Sequence, residues 1–400
     1  MQFEPSEIMK KAEKINEKLV RYRRSLHCNA EIGFKLSNTL KLVSEALRSL
    51  GATVEPCGRA GLVCSLGSGK RTMLLRADMD ALEIEEKTGL LFASKNGNMH
   101  ACGHDIHTSM LLGAYEILND YRDKIQGRVI FAFQPAEETL EGARDMINAG
   151  LLADGVDIAM MIHVLSATDF KTGYTIVSSP GISAPSSDFF KICVKGKSSH
   201  GGMPSEGKSA ISCAARVITS IEELQDANRR SGSFAIVSVG TVHAGKAPNV
   251  IADTAALCGT ARAYSAADRS ALIAELKKIA ALHSEEYGCS AEFTVTSSCP
   301  PLFNDRKCSE AVYRYARALF GKENCALSDE LGGRGGGGSE DFASICDLVP
   351  GVAVAISAGS RSEGFTEPLH NPKVRFSDDV IRYGAALLAY SALSYFAENG

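Results

Sequence analysis

Residues 188–197 read DFFKICVKGK, a run that predicts a β-strand. Helical and strand patterns follow it in the order helix, strand, strand, helix, strand. These are KSAISCAARVITSIEELQ (208–225), SFAIVSVGTVHAG (233–245), NVIADTAALCGTARAY (249–264), RSALIAELKKIAALHSEEYG (269–288) and CSAEFTVTSS (289–298). The order βαββαβ is typical of a ferredoxin-like unit, which forms a compact domain of its own.

The sequence on both sides of this unit has a different pattern, in which apolar runs alternate with helical stretches. The apolar runs are TMLLRADMDAL (72–82), RVIFAFQPAEE (128–138), DIAMMIHVL (157–165) and GVAVAISAG (351–359). Buried strands separated by helices predict an α/β layered sheet. We therefore expect a discontinuous α/β domain, residues 1–186 and 299–400, interrupted by a ferredoxin-like domain at 187–298.

Composition and charge restrict the classes of partner. The 400 residues carry 43 Lys and Arg against 47 Asp and Glu, a formal charge of −4 without a basic stripe, which argues against nucleic acid and anionic lipid. No apolar run approaches the roughly 20 residues of a membrane span, and the first residues lack the apolar core of a signal peptide. Twelve scattered cysteines favour reduced thiols. We expect a cytoplasmic protein that acts on small molecules.

Three of the predicted strands end in polar residues. One ends at Asp78 and Asp80, another at Glu137 and Glu138, and the third close to His163. Ligands gather at the carboxyl ends of strands in open α/β sheets. A solvated turn explains any one of these strand ends, but three together predict a single site.

The segment MHACGHDIHTSM (99–110) adds a cysteine and three histidines. We expect Cys102 and His104 on a loop, with Asp105 near the N-cap of the following helix. Thiolate and imidazole are good zinc ligands, and imidazole with carboxylate also suits manganese. His100 and His107 are better explained as supporting or packing residues. An alternative makes Cys102 a nucleophile activated by a neighbouring histidine, although the sequence specifies no third group that would position the base.

The adjacent carboxylates of PAEE (135–138), Glu137 and Glu138, suggest that the two residues have different roles. On a tight loop they point in different directions, so that one can bind a metal while the other takes a proton from water. The alternative is a plain acidic turn at the start of the next helix, where negative charge is favourable.

Taken together, the motifs resemble those of a family of metal-dependent amidohydrolases that is similar to the zinc exopeptidases. The motifs, in order, are RRSLHCNAEIGF (23–34), LLRADMDAL (74–82), MHACGHDIHTSM (99–110), FQPAEE (133–138), GTVHAGKAPNVIAD (240–253), GSEDF (338–342) and PLHNPKVRF (368–376). The family includes hippurate hydrolases, auxin-conjugate hydrolases, N-acetyldiaminopimelate deacetylases and aminobenzoyl-glutamate hydrolases. The resemblance spans residues 21 to 390 and implies a zinc-exopeptidase-like catalytic domain with a mixed sheet and flanking helices.

The resemblance also implies a set of metal ligands. These are Cys102, His104, Glu138, His163 and His370. Five ligands suit two divalent metal ions, Zn or Mn, with Cys102 as the bridge. Glu137 matches the general base of the family, and Asp80 matches an aspartate that orients a metal ligand. Asp78 stands where relatives outside this group carry a metal-binding histidine.

For the inserted domain the resemblance implies a lid and dimerisation role, and hence a homodimer or higher homo-oligomer. His200 matches a histidine that approaches the scissile carbonyl, often from the partner subunit. Asn249 matches a residue that holds substrate. Arg262 is a candidate to pair with a substrate carboxylate, although an ordinary surface ion pair is the favoured explanation.

The function that these residues imply is metal-dependent hydrolysis of the amide bond of N-acyl amino acids with acetyl, benzoyl or aryl-acyl groups. Alternatives are a dipeptidase or aminoacylase-type peptidase of the same fold, and a non-catalytic protein that binds acyl amino acids. The glycine cluster at 332–338 satisfies GxGxxG from Gly333. No convincing strand precedes it, so we expect a mobile loop near the active site and not a nucleotide site.

Overall fold

The structure, a computed structural model, describes residues 3–232, 234–332 and 338–399. Its helices are α1 (Pro5–Cys28), α2 (Ser37–Ser49), α3 (His104–Asn119), α4 (Gly142–Asn148), α5 (Ala210–Ser231), α6 (Ala266–Glu286), α7 (Arg306–Phe320), α8 (Ala343–Cys346) and α9 (Val380–Asn399). Its strands are β1 (Glu55–Cys57), β2 (Gly61–Gly67), β3 (Thr72–Asp78), β4 (Arg128–Gln134), β5 (Ile158–Leu165), β6 (Thr175–Val177), β7 (Gly181–Ala184), β8 (Ser186–Lys195), β9 (Ser199–His200), β10 (Ile236–Ala244), β11 (Val250–Ile251), β12 (Thr254–Ala263), β13 (Ser290–Cys299), β14 (Leu302–Asn304), β15 (Cys325–Leu327) and β16 (Gly351–Ser357).

These elements form two compact units. The first contains residues 3–183, 303–332 and 341–399, and the second contains residues 184–232, 234–302 and 338–340. The domain boundaries expected from the sequence, 1–186 with 299–400 and 187–298, stay a prediction, as does the lid role of the second unit. No helix within the described residues combines the length and the apolar character needed to cross a membrane.

The first unit is built on an eight-stranded mixed sheet with the order β1-β2-β4-β3-β5-β16-β6-β15. The central strands β4, β3, β5 and β16 run parallel, with Leu75 of β3 level with Phe131 of β4 and Met160 of β5. Strands β2 and β6 run antiparallel to their neighbours β4 and β16. All of β3 is buried, as expected for a parallel strand covered on both faces. The predicted α/β class with a mixed sheet is confirmed.

Helix α3 connects this sheet to the surrounding helices. It packs against β3, α1 and α9, and it buries almost all of its residues, including the polar first turn. At Gly113 a Cβ atom would lie 2.5 Å from Leu19 of α1 and 2.8 Å from Ala385 of α9. Glycine therefore lets three helices approach closely, and this packing fixes the position of the polar first turn of α3.

The second unit contains a four-stranded antiparallel sheet with the order β10-β12-β8-β13. Along β8 the buried residues Phe190, Ile192 and Val194 alternate with more exposed ones, and helices α5 and α6 pack on the buried face. The main elements follow the predicted order βαββαβ. A short antiparallel ribbon of β9 and β11 is added to it.

Candidate metal centre

The carboxyl ends of three parallel strands meet at one edge of the large sheet. Asp80 lies two residues beyond β3, Glu137 and Glu138 lie shortly beyond β4, and His163 is near the end of β5. Because these strands are adjacent and parallel, their terminal polar residues converge. The strands themselves are those that the sequence predicts.

Cys102 and His104 lie at the start of α3. Gly103, with φ +89°, is the N-cap residue, and a Cβ atom there would lie 2.4 Å from the side chain of Val164. Only glycine allows the chain to turn into the helix so close to β5. The predicted loop position holds for Cys102 but is wrong for His104, which is the first helical residue, because the turn at Gly103 starts the helix one residue before Asp105.

Two groups of potential ligand atoms share the thiol of Cys102. One contains Cys102, His104 and His163, the other contains Cys102, Glu138 and His370, and the atoms of each group lie within 4.8 Å of one another. Sγ of Cys102 is 3.3 Å from Nε2 of His163 and 3.4 Å from Nε2 of His370. Nε2 of His370 is 3.5 Å from Oε1 of Glu138. The fold thus brings together all five residues that the family resemblance implies as ligands.

Hydrogen bonds at Nδ1 orient the rings of His104 and His163, so that Nε2 of each ring faces the thiol of Cys102. Nδ1–H of His104 donates to the backbone oxygen of Asp80 over 2.8 Å, and Nδ1–H of His163 donates to the backbone oxygen of Val164 over 2.7 Å. These bonds leave the lone pair on Nε2 of each ring. Burial lowers the pKa of His163 to about 3, so its imidazole stays neutral, which is the form that binds metals.

The chemistry of these side chains fits divalent cations. Nε2 of His104 and Oε1 of Glu138 are buried and 3.9 Å apart, and within the described chain neither has a hydrogen-bond partner. A buried polar atom without a partner costs roughly 1–3 kcal/mol, which a cation bound between the two atoms would offset. Burial raises the pKa of Glu138 to about 7. Thiolate, imidazole and carboxylate are the donors that zinc and manganese bind in proteins.

Asp80 holds the loop that carries the two glutamates. Its carboxylate oxygens accept the backbone N–H groups of Glu137 over 3.0 Å and of Glu138 over 3.2 Å. Just before them, Ala136 adopts φ +53°, a left-handed conformation that is unusual for a residue with a Cβ atom. This strained turn directs Glu138 toward Cys102, while the side chain of the buried Glu137 accepts the N–H of Asp341 over 3.4 Å.

Asp78 and His107 are close to His104 but are already bound to other groups. Asp78, His104 and His107 form a third group that could in principle hold an ion. Asp78 accepts from Nη1 of Arg76 over 2.6 Å, and its other oxygen bonds to Nδ1 of His107 over 2.6 Å. Nε2 of His107 accepts the N–H of Val164 over 2.9 Å. With both ring nitrogens of His107 occupied, this third group is a hydrogen-bonded support and not a metal site.

The buried network around Arg76 was not predicted from the sequence. Nη2 of Arg76 donates to Asp341 over 2.8 Å, and its Nε donates to Gln134 over 2.9 Å. Nε2 of Gln134 donates to Asp341 over 2.7 Å. The sequence does contain a signal for this network, which is the charged Arg76 inside the apolar strand LLRAD. A buried guanidinium requires acidic partners.

The environment of Cys102 argues against a cysteine nucleophile. Burial raises the pKa of its thiol well above the usual value, and the carboxylate of Glu138 adds to this effect. A nucleophilic cysteine needs the opposite, a lowered pKa and access to solvent. Cys102 is 8% exposed, and its thiol is surrounded by potential ligands, as expected for a metal-binding residue.

The second unit places His200 and Asn249 together. His200 in β9 pairs with Val250 in β11, the residue after Asn249. The His200 ring is exposed, and its Nδ1 accepts the N–H of Gly202 over 3.0 Å. A backbone N–H can only donate, so the proton of the neutral ring lies on Nε2. His200 therefore presents an N–H donor to solvent.

Arg262 is half-buried on β12. Its Nη1 donates to Oγ of Ser339 over 2.8 Å. Its pairing with a substrate carboxylate stays a prediction. The predicted mobile loop and the rejected GxGxxG motif fall largely on 333–337, which lie outside the described residues.

The fold and this cluster define a class of protein, a hydrolase with ligands for a pair of divalent cations. A model of peptidase family M20/M25/M40 matches residues 74–394, and the chain belongs to that family.

Two curated relatives and one solved structure align over most of the chain. The N-acetylcysteine deacetylase of Bacillus subtilis is 32% identical over 95% of each chain. The IAA-amino acid hydrolase ILR1-like 2 of Arabidopsis thaliana is 31% identical over 97% of this chain and 88% of its own. The crystal structure of the Bacillus subtilis YXEP protein, described as a dinuclear metal binding peptidase from the M20 family, aligns with a TM-score of 0.76 at 29% identity, over 96% of this chain and 99% of that one.

Proposed function

We propose that the protein hydrolyses the amide bond of N-acyl amino acids, with acetyl, benzoyl or aryl-acyl groups, and releases a carboxylic acid and an amino acid. The observation that carries this proposal is that the thiol of Cys102 belongs to two ligand groups at once, with the carboxylate of Glu137 beside them. The names of the two relatives, which are an N-acetylcysteine deacetylase and an IAA-amino acid hydrolase, support the substrate class.

Two divalent ions, Zn or Mn, would be held by the five residues described above, of which Cys102 belongs to both groups of potential ligands. When bound, such a pair supplies Lewis acidity that activates water and polarises the substrate carbonyl. Nε2 of His104 and Oε1 of Glu138 favour a cation over an empty cluster, because these two buried atoms lie 3.9 Å apart and neither has a hydrogen-bond partner within the described residues.

Glu137 would act as the general base. It is 6% exposed, and its carboxylate accepts the N–H of Asp341, so its orientation is fixed. It would take a proton from water at its carboxylate oxygen and pass that proton to the nitrogen of the leaving amine. Such proton transfer contributes about 10²–10⁴-fold to a rate.

His200 would stabilise the negative charge on the carbonyl oxygen in the transition state. Its Nε2–H is available because Nδ1 accepts from Gly202. The donor would come from this chain or from the partner chain of a dimer. Asn249 and Arg262 would bind the substrate, the latter at a carboxylate.

We also propose a homodimer that forms through β10. Within the described residues β10 is an edge strand, and its nine residues include no Asp, Glu, Lys or Arg. Ile236 and Val242 are 41% and 52% exposed. An exposed apolar edge strand is a surface on which a second strand pairs.

All twelve cysteines are free, which supports a cytoplasmic location.

The test is activity after metal removal and reconstitution. Protein treated with a chelator should lose activity and recover it with Zn²⁺ or Mn²⁺, measured on N-acetyl, N-benzoyl and indole-acetyl amino acids. Unblocked dipeptides belong in the same panel, because faster turnover of these substrates would favour a peptidase instead. Stoichiometric binding of acyl amino acids without any hydrolysis would contradict the proposal.

A further inference from the structure

His107 has no role in the mechanism above, yet its ring lies between two of the proposed ligands. The ring centroid is 4.6 Å from that of His163 and 5.3 Å from that of His104. The side chain is only 1% exposed. A polar ring buried at this place is costly unless its hydrogen bonds are satisfied, and both of its nitrogens are bonded.

The hydrogen bonds fix which nitrogen carries the proton. Nε2 lies 2.9 Å from the backbone N–H of Val164, which can only donate. Nε2 is therefore an acceptor, and the proton is on Nδ1, which donates to Oδ1 of Asp78 over 2.6 Å. Neither nitrogen has a lone pair left for a cation. His107 thus supports the ligands and does not belong to them.

One bond of His107 acts on His163. Val164 follows His163 in β5, and its backbone oxygen is the group that accepts Nδ1–H of His163. Val164 is therefore held at its N–H by His107, while its oxygen holds the ring of His163. A shift of Val164 would rotate the His163 ring and move Nε2 away from the thiol of Cys102.

The other bond of His107 acts on His104. Asp78 is held between Nδ1–H of His107 and the guanidinium of Arg76, and its Oδ2 lies 3.7 Å from Nε2 of His104. The position of this carboxylate fixes the negative charge that faces the ligand nitrogen. Loss of His107 would leave Asp78 held by Arg76 at Oδ2, so that the carboxylate could turn about this contact and change its position relative to His104.

We propose that His107 is a positioning residue that sets the affinity of one of the two cation positions, the one formed by Cys102, His104 and His163. This inference rests on the proposed function, because it requires that the cluster binds two cations. Within the described residues, the hydrogen bonds of His107 reach Asp78 and Val164, and the rings that it contacts are those of His104 and His163. Glu138 and His370 form the other position with Cys102.

The experiment is a calorimetric titration of the metal-free full-length protein with Mn²⁺ and with Zn²⁺. Wild type is expected to bind two ions. His107→Leu removes both hydrogen bonds, so one position should weaken by about 10–100-fold, the usual effect of losing a group that orients a ligand. The other position should keep its wild-type affinity. A general loss of structure would instead weaken both.

Two further variants separate positioning from folding. Glutamine carries both a donor and an acceptor at its end, so His107→Gln should restore the weakened position to near wild type. Asparagine is shorter, so His107→Asn should keep the bond to Asp78, lose the bond to Val164 and give an intermediate affinity. These variants preserve polarity and carry the test if the leucine variant does not fold, as judged by circular dichroism.

The results separate the two proposals. Wild type that binds no stoichiometric metal overturns the proposed function itself. In another outcome, wild type binds two ions while His107→Leu or His107→Asn binds metal at both positions with the wild-type affinity. That result overturns only the positioning role. Equal weakening of both positions that glutamine does not restore also overturns it. The Co²⁺ absorption spectrum of each variant gives a second readout, because it reports ligand geometry independently of activity.

Discussion

The cluster around Cys102 and the ribbon that carries His200 are held in opposite ways. In the cluster, His104 and His163 are hydrogen-bonded through Nδ1 to backbone oxygens, so that Nε2 of each ring is directed at the thiol. In the ribbon, His200 lies exposed on a two-residue strand and is held by one bond from Gly202. The cluster is suited to holding an ion at fixed distances, whereas the ribbon is suited to a group that meets a substrate.

Backbone strain follows the same division. Among the described residues, those other than glycine with positive φ are Ala136, Leu140, Ala167 and His370, and all four lie in the first unit. Strained conformations persist where surrounding contacts fix them, and they collect at functional sites. The left-handed residues Ala136 and His370 thus lie beside or within the candidate ligand cluster, whereas the described residues around His200 have no such strain.

The largest effect is expected for Glu137→Gln in the cluster. Glutamine keeps the size of the side chain and can accept the N–H of Asp341, but it cannot take a proton. We expect kcat to fall by about 10²–10⁴-fold while the metal-to-protein ratio stays at the wild-type value. Glu141→Gln, four residues away beside Arg59, is the matched control and should leave kcat unchanged. Undiminished turnover by the Glu137 variant would remove this residue from the mechanism.

Cys102→Ser should affect both cation positions, since the thiol belongs to both ligand groups. A neutral hydroxyl is a much weaker ligand than a thiolate, so both affinities should fall by more than the roughly 10–100-fold expected for losing an orienting group. Calorimetric titration with Zn²⁺ and Mn²⁺ measures this directly. Excess metal should restore part of the rate. Loss of activity with both affinities intact would instead point to a nucleophilic cysteine.

His200→Ala should separate the ribbon from the cluster. Removing an oxyanion donor usually lowers kcat by about 10²–10³-fold, and metal content should not change because His200 belongs to neither ligand group. Met203→Ala is a control in the same loop, because its side chain is 54% exposed and has no proposed role. If His200→Ala lowered the metal content, the contrast between the two regions would be wrong.

The sequence was most informative where local pattern determines structure. Buried strands followed by polar residues predicted the strand ends at Asp78 and beyond β4, because the alternation of strands and helices makes neighbouring strands parallel. The βαββαβ order of the second unit came from the same kind of signal. The five candidate ligands were predicted together only through the family resemblance, since His370 lies 268 residues from Cys102 and no local pattern links them.

What the sequence did not reveal are hydrogen bonds between distant segments. The carboxylate of Asp80 holds the backbone of Glu137, and Asp341 binds Arg76 across 265 residues. These pairs depend on the register of the sheet and on loop conformation, which hydrophobic periodicity does not encode. The left-handed conformation of Ala136 was equally invisible, because alanine gives no turn signal of its own.

The smallest effect tests strain itself, by Ala136→Gly. Ala136 and Ala167 are both buried alanines, with φ +53° and +56°, but only Ala136 precedes the two glutamates. Glycine adopts this conformation without steric cost, so the substitution stabilises the folded state by relieving about 1–2 kcal/mol of strain. It also raises the conformational entropy of the unfolded chain, which destabilises the protein by about 0.4–1 kcal/mol. The two glycine variants should therefore change the free energy of unfolding by similar, small amounts.

Their rates should nevertheless differ. At residue 136 the freer turn no longer fixes the directions of Glu137 and Glu138, so kcat of Ala136→Gly should fall several-fold, whereas Ala167→Gly should retain the wild-type rate. Urea unfolding and steady-state kinetics on the two variants give both quantities. Equal rates in the two variants would mean that the strain at Ala136 is incidental. A loss of rate only at Ala136 would mean that the strained turn divides the two carboxylates between metal binding and proton transfer.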